Sequence, residues 1–188
     1  MLPDTAPKQA AARRQLLAGA AGSILLSATA RIVAAEPDDS LGTAPVFSSL
    51  DGSPRSLQQY LGRPLLLNLW ATWCAPCVAE MPALQALRWK HGPEGSGRLD
   101  VVALNAGQSI NQVEGFLKQH HLQLPVVMDQ KKLAATRWNV RMLPTTLLFD
   151  AGGRLRSRWT GERQWSGAPM LQEIEAALRF APETRAGT

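Results

Sequence analysis

Leu65-Leu66-Leu67-Asn68-Leu69-Trp70-Ala71-Thr72-Trp73-Cys74-Ala75-Pro76-Cys77 is the stretch that decides the fold. An apolar run interrupted only by Asn68 leads into the only two cysteines of the 188-residue chain. A continuous run of this length suits a central strand covered on both faces. Beyond the cysteines, Val78, Met81, Leu84 and Leu87 recur at three-residue steps and predict a helix with one apolar face. Pro82 inside that helix predicts a kink. A strand feeding a helix, with Cys-x-x-Cys at the junction, reads as a dithiol/disulfide redox centre.

The attacking species at such a centre is a thiolate. Cys74 falls at the start of the helix, where free backbone N–H groups and the helix dipole favour negative charge. In Cys-x-x-Cys sites this lowers the first thiol's pKa to between ~3.5 and ~7.5. The spacing puts Cys77 almost one turn later, on the inner side. Cys74 is therefore expected to attack and Cys77 to resolve the mixed disulfide. Pro76 suits a first helical turn, where its missing N–H would be unpaired anyway. Two cysteines cannot make a disulfide framework. A zinc site would need two further ligands, and His91, His120 and His121 lie far away in sequence.

Outward from this stretch the elements fall in a regular order. Val46-Phe47 and the Asp51-Gly52 turn signal predict a short hairpin ending near Arg55-Ser56, and Ser56 can cap a helical turn through Tyr60. Strands are expected at Leu99 to Asn105, Pro125 to Met128, Thr145 to Asp150 and Arg154 to Thr160, with Gly152-Gly153 as a tight turn. Helices are expected from Ile110 to His120 and Lys131 to Arg137, and around Met170 to Leu178. Period-two alternation would put Arg154, Arg156 and Arg158 on one face and Leu155, Ser157 and Trp159 on the other. Strand–helix alternation closing on a hairpin and a helix fits an α/β fold, a mixed central sheet with helices on both faces.

Residues 1–35 do not read as part of the fold. Arg13-Arg14, Leu16-Leu17, a soft Ala/Gly-rich run to Ala30 and small residues at Ala28-Thr29-Ala30 and Val33-Ala34-Ala35 describe an export signal. The paired arginines resemble a twin-arginine signal. Ordinary secretion and an uncleaved anchor remain open, although the apolar run is shorter than the ~20 residues of a spanning helix. Residues 36–44 read as a linker, 45–181 as the domain and 182–188 as a mobile tail. Of the twenty basic and fifteen acidic residues, four basic and one acidic precede Glu36, so the basic bias is concentrated at the N-terminus. A nucleic-acid partner gains little support from it. In a bacterial envelope, thiols are kept oxidised. An exported lone Cys-x-x-Cys is then an oxidant, or a reductant supplied with electrons from elsewhere.

Asn68 to Cys77, followed by Glu80-Met81-Pro82, resembles the thioredoxin-fold proteins of the TlpA/ResA-like group, bacterial envelope thiol–disulfide oxidoreductases. Trp138-Asn139-Val140-Arg141-Met142-Leu143-Pro144-Thr145-Thr146 resembles that group's cis-proline segment. The likeness runs from about Val46 to Leu178 and implies a three-layer thioredoxin-like fold. Residues 106–130 would be the helix–strand insertion that separates the group from plain thioredoxin. It implies that Pro144 is cis and packs beside the cysteines, that the Leu143 backbone pairs with an extended substrate, and that Trp73 shields the disulfide. Thioredoxin carries a buried acid at the position of Asn68, so that acid is absent here. Glu80, one turn beyond Cys77, would take its place in proton exchange with the inner thiol.

The Cys74–Cys77 disulfide is expected to be the redox group, with no bound cofactor and no metal. Nothing cationic lies between the cysteines, which favours a reductant over an oxidant. The resemblance implies a disulfide-containing envelope protein as substrate, of the kind matured for cytochrome c or an oxidase copper site. It also implies a membrane thiol-electron donor. A Cu(I) metallochaperone using the same two thiols is the alternative, with Met81, Met128, Met142 and the His120-His121 pair as further soft or borderline ligands. Core packing is the competing account of those methionines, and a solvated strand face that of the three arginines.

Overall fold

The computed structural model describes residues 39–179. The expected export signal, the first residues of the expected linker and the expected tail lie outside them. Seven strands form one sheet: β1 (Phe47–Ser48), β2 (Pro54–Arg55), β3 (Leu65–Trp70), β4 (Asp100–Ala106), β5 (Val126–Asp129), β6 (Thr145–Phe149) and β7 (Leu155–Thr160). Their order across the sheet is β2-β1-β5-β4-β3-β6-β7. β4 runs parallel to both β3 and β5, whereas β6 is antiparallel to β3 and to β7, so the sheet is mixed. The helices are α1 (Ala75–His91), α2 (Ile110–Gln119), α3 (Leu133–Arg137) and α4 (Ala168–Arg179). Among the described residues no helix is long and apolar enough to cross a membrane.

Every residue of β3 is buried, as the unbroken apolar run requires of a central strand. Its alternate side chains feed two cores. Leu66 and Trp70 meet Met81, Leu84 and Leu87 of α1, Val113 and Leu117 of α2, and Ile174 of α4. Leu65, Leu67 and Leu69 meet Ala134 of α3, Trp138, and the segment around Leu41 and Leu57. Fully burying one such side chain is worth roughly 1.5–3 kcal/mol. Helices thus cover both faces, giving the three-layer α/β arrangement. α2 and β5 form the expected insertion, with β5 pairing to both β4 and β1.

Two local expectations change. Residues 39–44, expected as linker, are folded onto the domain. Leu41 starts a 3₁₀ turn (Leu41–Thr43), is fully buried, and its N–H donates to Gly153 O at 2.8 Å. Gly153 sits at φ +79°, and a Cβ there would stand 2.6 Å from Leu61 Cδ2 and 3.2 Å from Leu41 Cβ. Only glycine leaves room for this approach. Trp138 Nε1 donates to Asp39 O at 3.1 Å, and Arg137 reaches Ser40 O and Thr43 Oγ1.

The second change is in β7. Leu155 pairs with Phe149 and Ser157 with Leu148, leaving Arg156 as an extra residue between them. This bulge breaks the period of two. Leu155 joins the Phe149 side, whereas Trp159, opposite Thr146, joins the other core. The three arginines therefore do not form one continuous face. Arg156 Nε instead donates to Ala177 O of α4 at 3.4 Å.

Candidate functional site: a disulfide at a helix start

The chain leaves β3 at Trp70 and turns through Ala71 to Trp73 into α1. This turn is held by a polar clamp from the loop after β4. Thr72 N donates to Gln108 Oε1 at 2.8 Å, and Gln108 Nε2 returns a bond to Thr72 Oγ1 at 2.7 Å. Asn105, fully buried at the end of β4, donates to the same Gln108 oxygen at 3.0 Å. Cys74 is then the N-cap of α1, with Pro76 in its first turn. Cys74 and Cys77 are joined, their Cα atoms 5.2 Å apart. Cys77 N–H points at Cys74 Sγ, 3.3 Å away. That is the position of an N-cap acceptor, where a thiolate gains from the helix's free N–H groups and dipole. Cys74 keeps 5% exposure while Cys77 is completely sealed. The outer sulfur is therefore the one a partner can reach.

Trp73 is 71% exposed, which excludes core packing for it. It lines a groove of about 270 Å³ together with Leu143, Met142, Val140, Lys132 and Arg141. The Leu143–Pro144 peptide bond is cis. Leu143 packs against the core cluster that contains both cysteines, and Thr145 Oγ1 braces the loop by donating to Met142 O at 2.7 Å. Met81 and Met128 are core side chains, and Met142 stands exposed on the groove. Among the described residues no group of three or more His, Cys, Asp or Glu side chains is placed to hold a metal.

Glu80 lies one turn along α1 from Cys77 and is only 2% exposed, so it is not a solvated first-turn acid. A buried carboxyl is costly unless it is hydrogen-bonded. Here Asn68 Nδ2 donates to Oε1 at 2.7 Å, and Arg163 N and Trp165 Nε1 donate to Oε2 at 3.0 and 2.9 Å. Asn68 also donates to Thr146 Oγ1, its cross-strand partner, at 2.9 Å. The one polar residue of β3 is therefore a bridge between the acid and β6. The sequence signalled Asn68 only as a missing acid. Trp165 was not signalled at all, although a lone aromatic in the polar segment between β7 and α4 was a visible clue.

Burial pushes the Glu80 carboxyl above its ordinary value of 4.5, and the charge of Glu162 adds to the rise. The bonds from Trp165, Arg163 and Asn68 oppose this without cancelling it. A carboxyl with a raised native pKa binds its proton more tightly in the native than in the unfolded chain. Its contribution to stability is complete below about 4.5 and is lost as pH rises through the native value. Asp129 acts in the same sense: burial raises it against bonds from Ala134 N and Leu133 N. Glu80→Gln is expected to flatten the fall in unfolding free energy as pH rises above 4.5. Urea denaturation at a series of pH values measures this, and a slope equal to the parent's would refute it.

A disulfide that caps a helix, with one sulfur reachable and the other sealed, is built to open and close. On this sheet it places the protein among the thioredoxin-like thiol–disulfide oxidoreductases. The chain belongs to the Redoxin family, whose profile matches residues 37–178. It is 36% identical over 121 residues to the thiol-disulfide oxidoreductase ResA of Geobacillus thermodenitrificans, covering 63% of this chain and 68% of that one. It is 40% identical over 123 residues to the thioredoxin-like protein YneN of Bacillus subtilis, with 63% and 69% covered. Among solved structures, a thiol:disulfide interchange protein of the DsbE kind from Chlorobium tepidum superposes with a TM-score of 0.63 at 27% identity, over 76% of this chain and 98% of that one. StoA from Bacillus subtilis gives 0.57 at 25%, over 70% and 95%. The protein is an oxidoreductase of thiols and disulfides.

Proposed function

We propose that this oxidoreductase is exported and works as a reductase on disulfides of an envelope protein, of the kind matured for cytochrome c or an oxidase copper site. Export rests on the Arg13-Arg14 segment and the small residues that follow it. The direction rests on one observation: the helix N–H of Cys77 is the donor that reaches Cys74 Sγ, and Ala75 and Pro76 between the cysteines bring no cation. Thiolate stabilisation is thus limited to the helix start, and a negative Glu80 nearby works against it. A pair whose dithiol form is not strongly stabilised holds its electrons weakly.

In this reading the Cys74 thiolate attacks one sulfur of the partner's disulfide. The partner's S–S bond breaks, a Cys74–partner bond forms, and the displaced thiolate takes up a proton. Cys77 passes its proton to ionised Glu80 and attacks Cys74 Sγ. The Cys74–Cys77 bond closes, and the second partner thiolate leaves and is protonated in turn. Two electrons have moved to the partner, with no cofactor beyond the two sulfurs. A membrane thiol donor then restores the dithiol. Trp73, Leu143 and Pro144 shape the groove in which an extended partner segment lies. The reduction potential tests the direction. It is expected near thioredoxin's value of about −270 mV, and a value near the roughly −120 mV of a strong oxidant such as DsbA would overturn the reading.

A further inference from the structure

Trp165 is fully buried in the segment between β7 and α4. The segment is tied at its start, where Gly161 N donates to Pro144 O at 2.8 Å. The Trp165 ring stands edge-on against Trp159, with centroids 5.7 Å apart and planes at 87°. Trp159 is itself held, its Nε1 donating to Glu173 Oε1 of α4 at 2.6 Å. The indole therefore has little freedom to swing, and its one polar atom is aimed at Glu80 Oε2. An indole N–H donates and cannot accept. It matches an ionised carboxylate, and both side chains are buried.

We propose that Trp165 is a positioning residue of the redox site: braced by Trp159 and Glu173, it holds the Glu80 carboxylate in its orientation one turn beyond Cys77. The proposal deepens the function above and rests on it for the part Glu80 plays in the reaction. The groups facing Glu80 are few. Asn68 of β3 and Thr146 of β6 are uncharged, Glu162 and Arg163 belong to the Trp165 segment, and Cys77 precedes it on α1. Arg163 contributes its backbone N–H, and its exposed guanidinium donates to Glu162 O. Glu80 Oε2 has two protein donors, so loss of the indole leaves the Arg163 N–H alone on that oxygen.

The test uses NMR on the parent, Trp165→Phe and Glu80→Gln, with the reduction potential of each followed against pH. In the parent, the Trp165 indole N–H resonance is expected to shift with the same midpoint as the Glu80 carboxyl carbon, and to lose that shift in Glu80→Gln. This part needs no change at Trp165 and is immune to a folding defect there. Trp165→Phe keeps a ring against Trp159 and removes the donor. The Glu80 midpoint should rise by about one pH unit, the size of a tenfold loss of preference for the ionised form. The break that Glu80 puts in the potential–pH curve should move with it. An indole resonance indifferent to the Glu80 titration, or a midpoint unchanged in Trp165→Phe, overturns the proposal. A midpoint that moves while the potential–pH curves of all three proteins coincide supports the placement by Trp165 and overturns the proton-relay reading of Glu80 instead.

Discussion

Cys77→Ser is expected to stop the reaction half-way, with the partner held on Cys74 through an intermolecular disulfide. The reason is geometric. Cys77 is sealed and its sulfur lies against Cys74 Sγ, so it is the group placed to attack the mixed disulfide once Cys74 has opened the partner. Serine keeps the size and the helix position but supplies no thiolate. Turnover should fall to the uncatalysed background after one equivalent, and a covalent adduct should run as a band that thiol reductant removes. Cys74→Ser should lose both turnover and adduct, because Cys77 at zero exposure cannot meet a protein disulfide. Insulin serves as a generic substrate for turnover, and non-reducing gels of the envelope fraction report the adduct. Sustained turnover by Cys77→Ser would show that the second sulfur comes from the partner or from solvent thiols, and the assigned roles would fall.

The parts of this site that were legible in the sequence are those encoded locally. β3, the helix start and the two cysteines are contiguous, and their chemistry follows from spacing. Ser56 accepting from Gln58 N and the hairpin ending at Arg55 also follow from short-range pattern, whereas the α2–β5 insertion was implied by the family resemblance. The illegible parts are contacts made across the chain. Trp165 meets Glu80 from 85 residues away, and Asn68 meets Thr146 from 78. No periodicity connects them, so Asn68 reads as a gap in an apolar run rather than as a donor. The bulge at Arg156 was hidden for a different reason. Arg154 to Thr160 alternates well enough to predict a regular strand, and the extra residue becomes visible only when Leu148 and Phe149 are paired with it.

Trp138→Ala is expected to cost about 3–5 kcal/mol, the range for removing a large buried aromatic. Trp138 has no exposed surface and packs on Phe47, with centroids 6.4 Å apart, and on Phe149 at 5.5 Å. It thereby joins the N-terminal hairpin to β6 on the core face covered by the short helix α3 and the segment around Leu41 and Leu57. Its indole N–H also holds Asp39 O, so the loss removes one tie on residues 39–44, which stay bonded through Leu41 N to Gly153 O, Arg137 to Ser40 O and Thr43 Oγ1, and Gln58 Nε2 to Gly42 O. Against a total stability of 5–15 kcal/mol for a typical domain, this is a large fraction. For a domain of this size it corresponds to a fall in Tm of roughly 10 °C. Leu41→Ala tests the same face from the other side and should cost about 2–5 kcal/mol. Neither residue lies in the disulfide loop or the Glu80 network. The reduction potential of the folded fraction should therefore stay at the parent value while the melting temperature falls. A potential that moves with Tm would mean that the Leu41–Trp138 face and the dithiol are coupled, and that the two cores on either side of β3 are not independent.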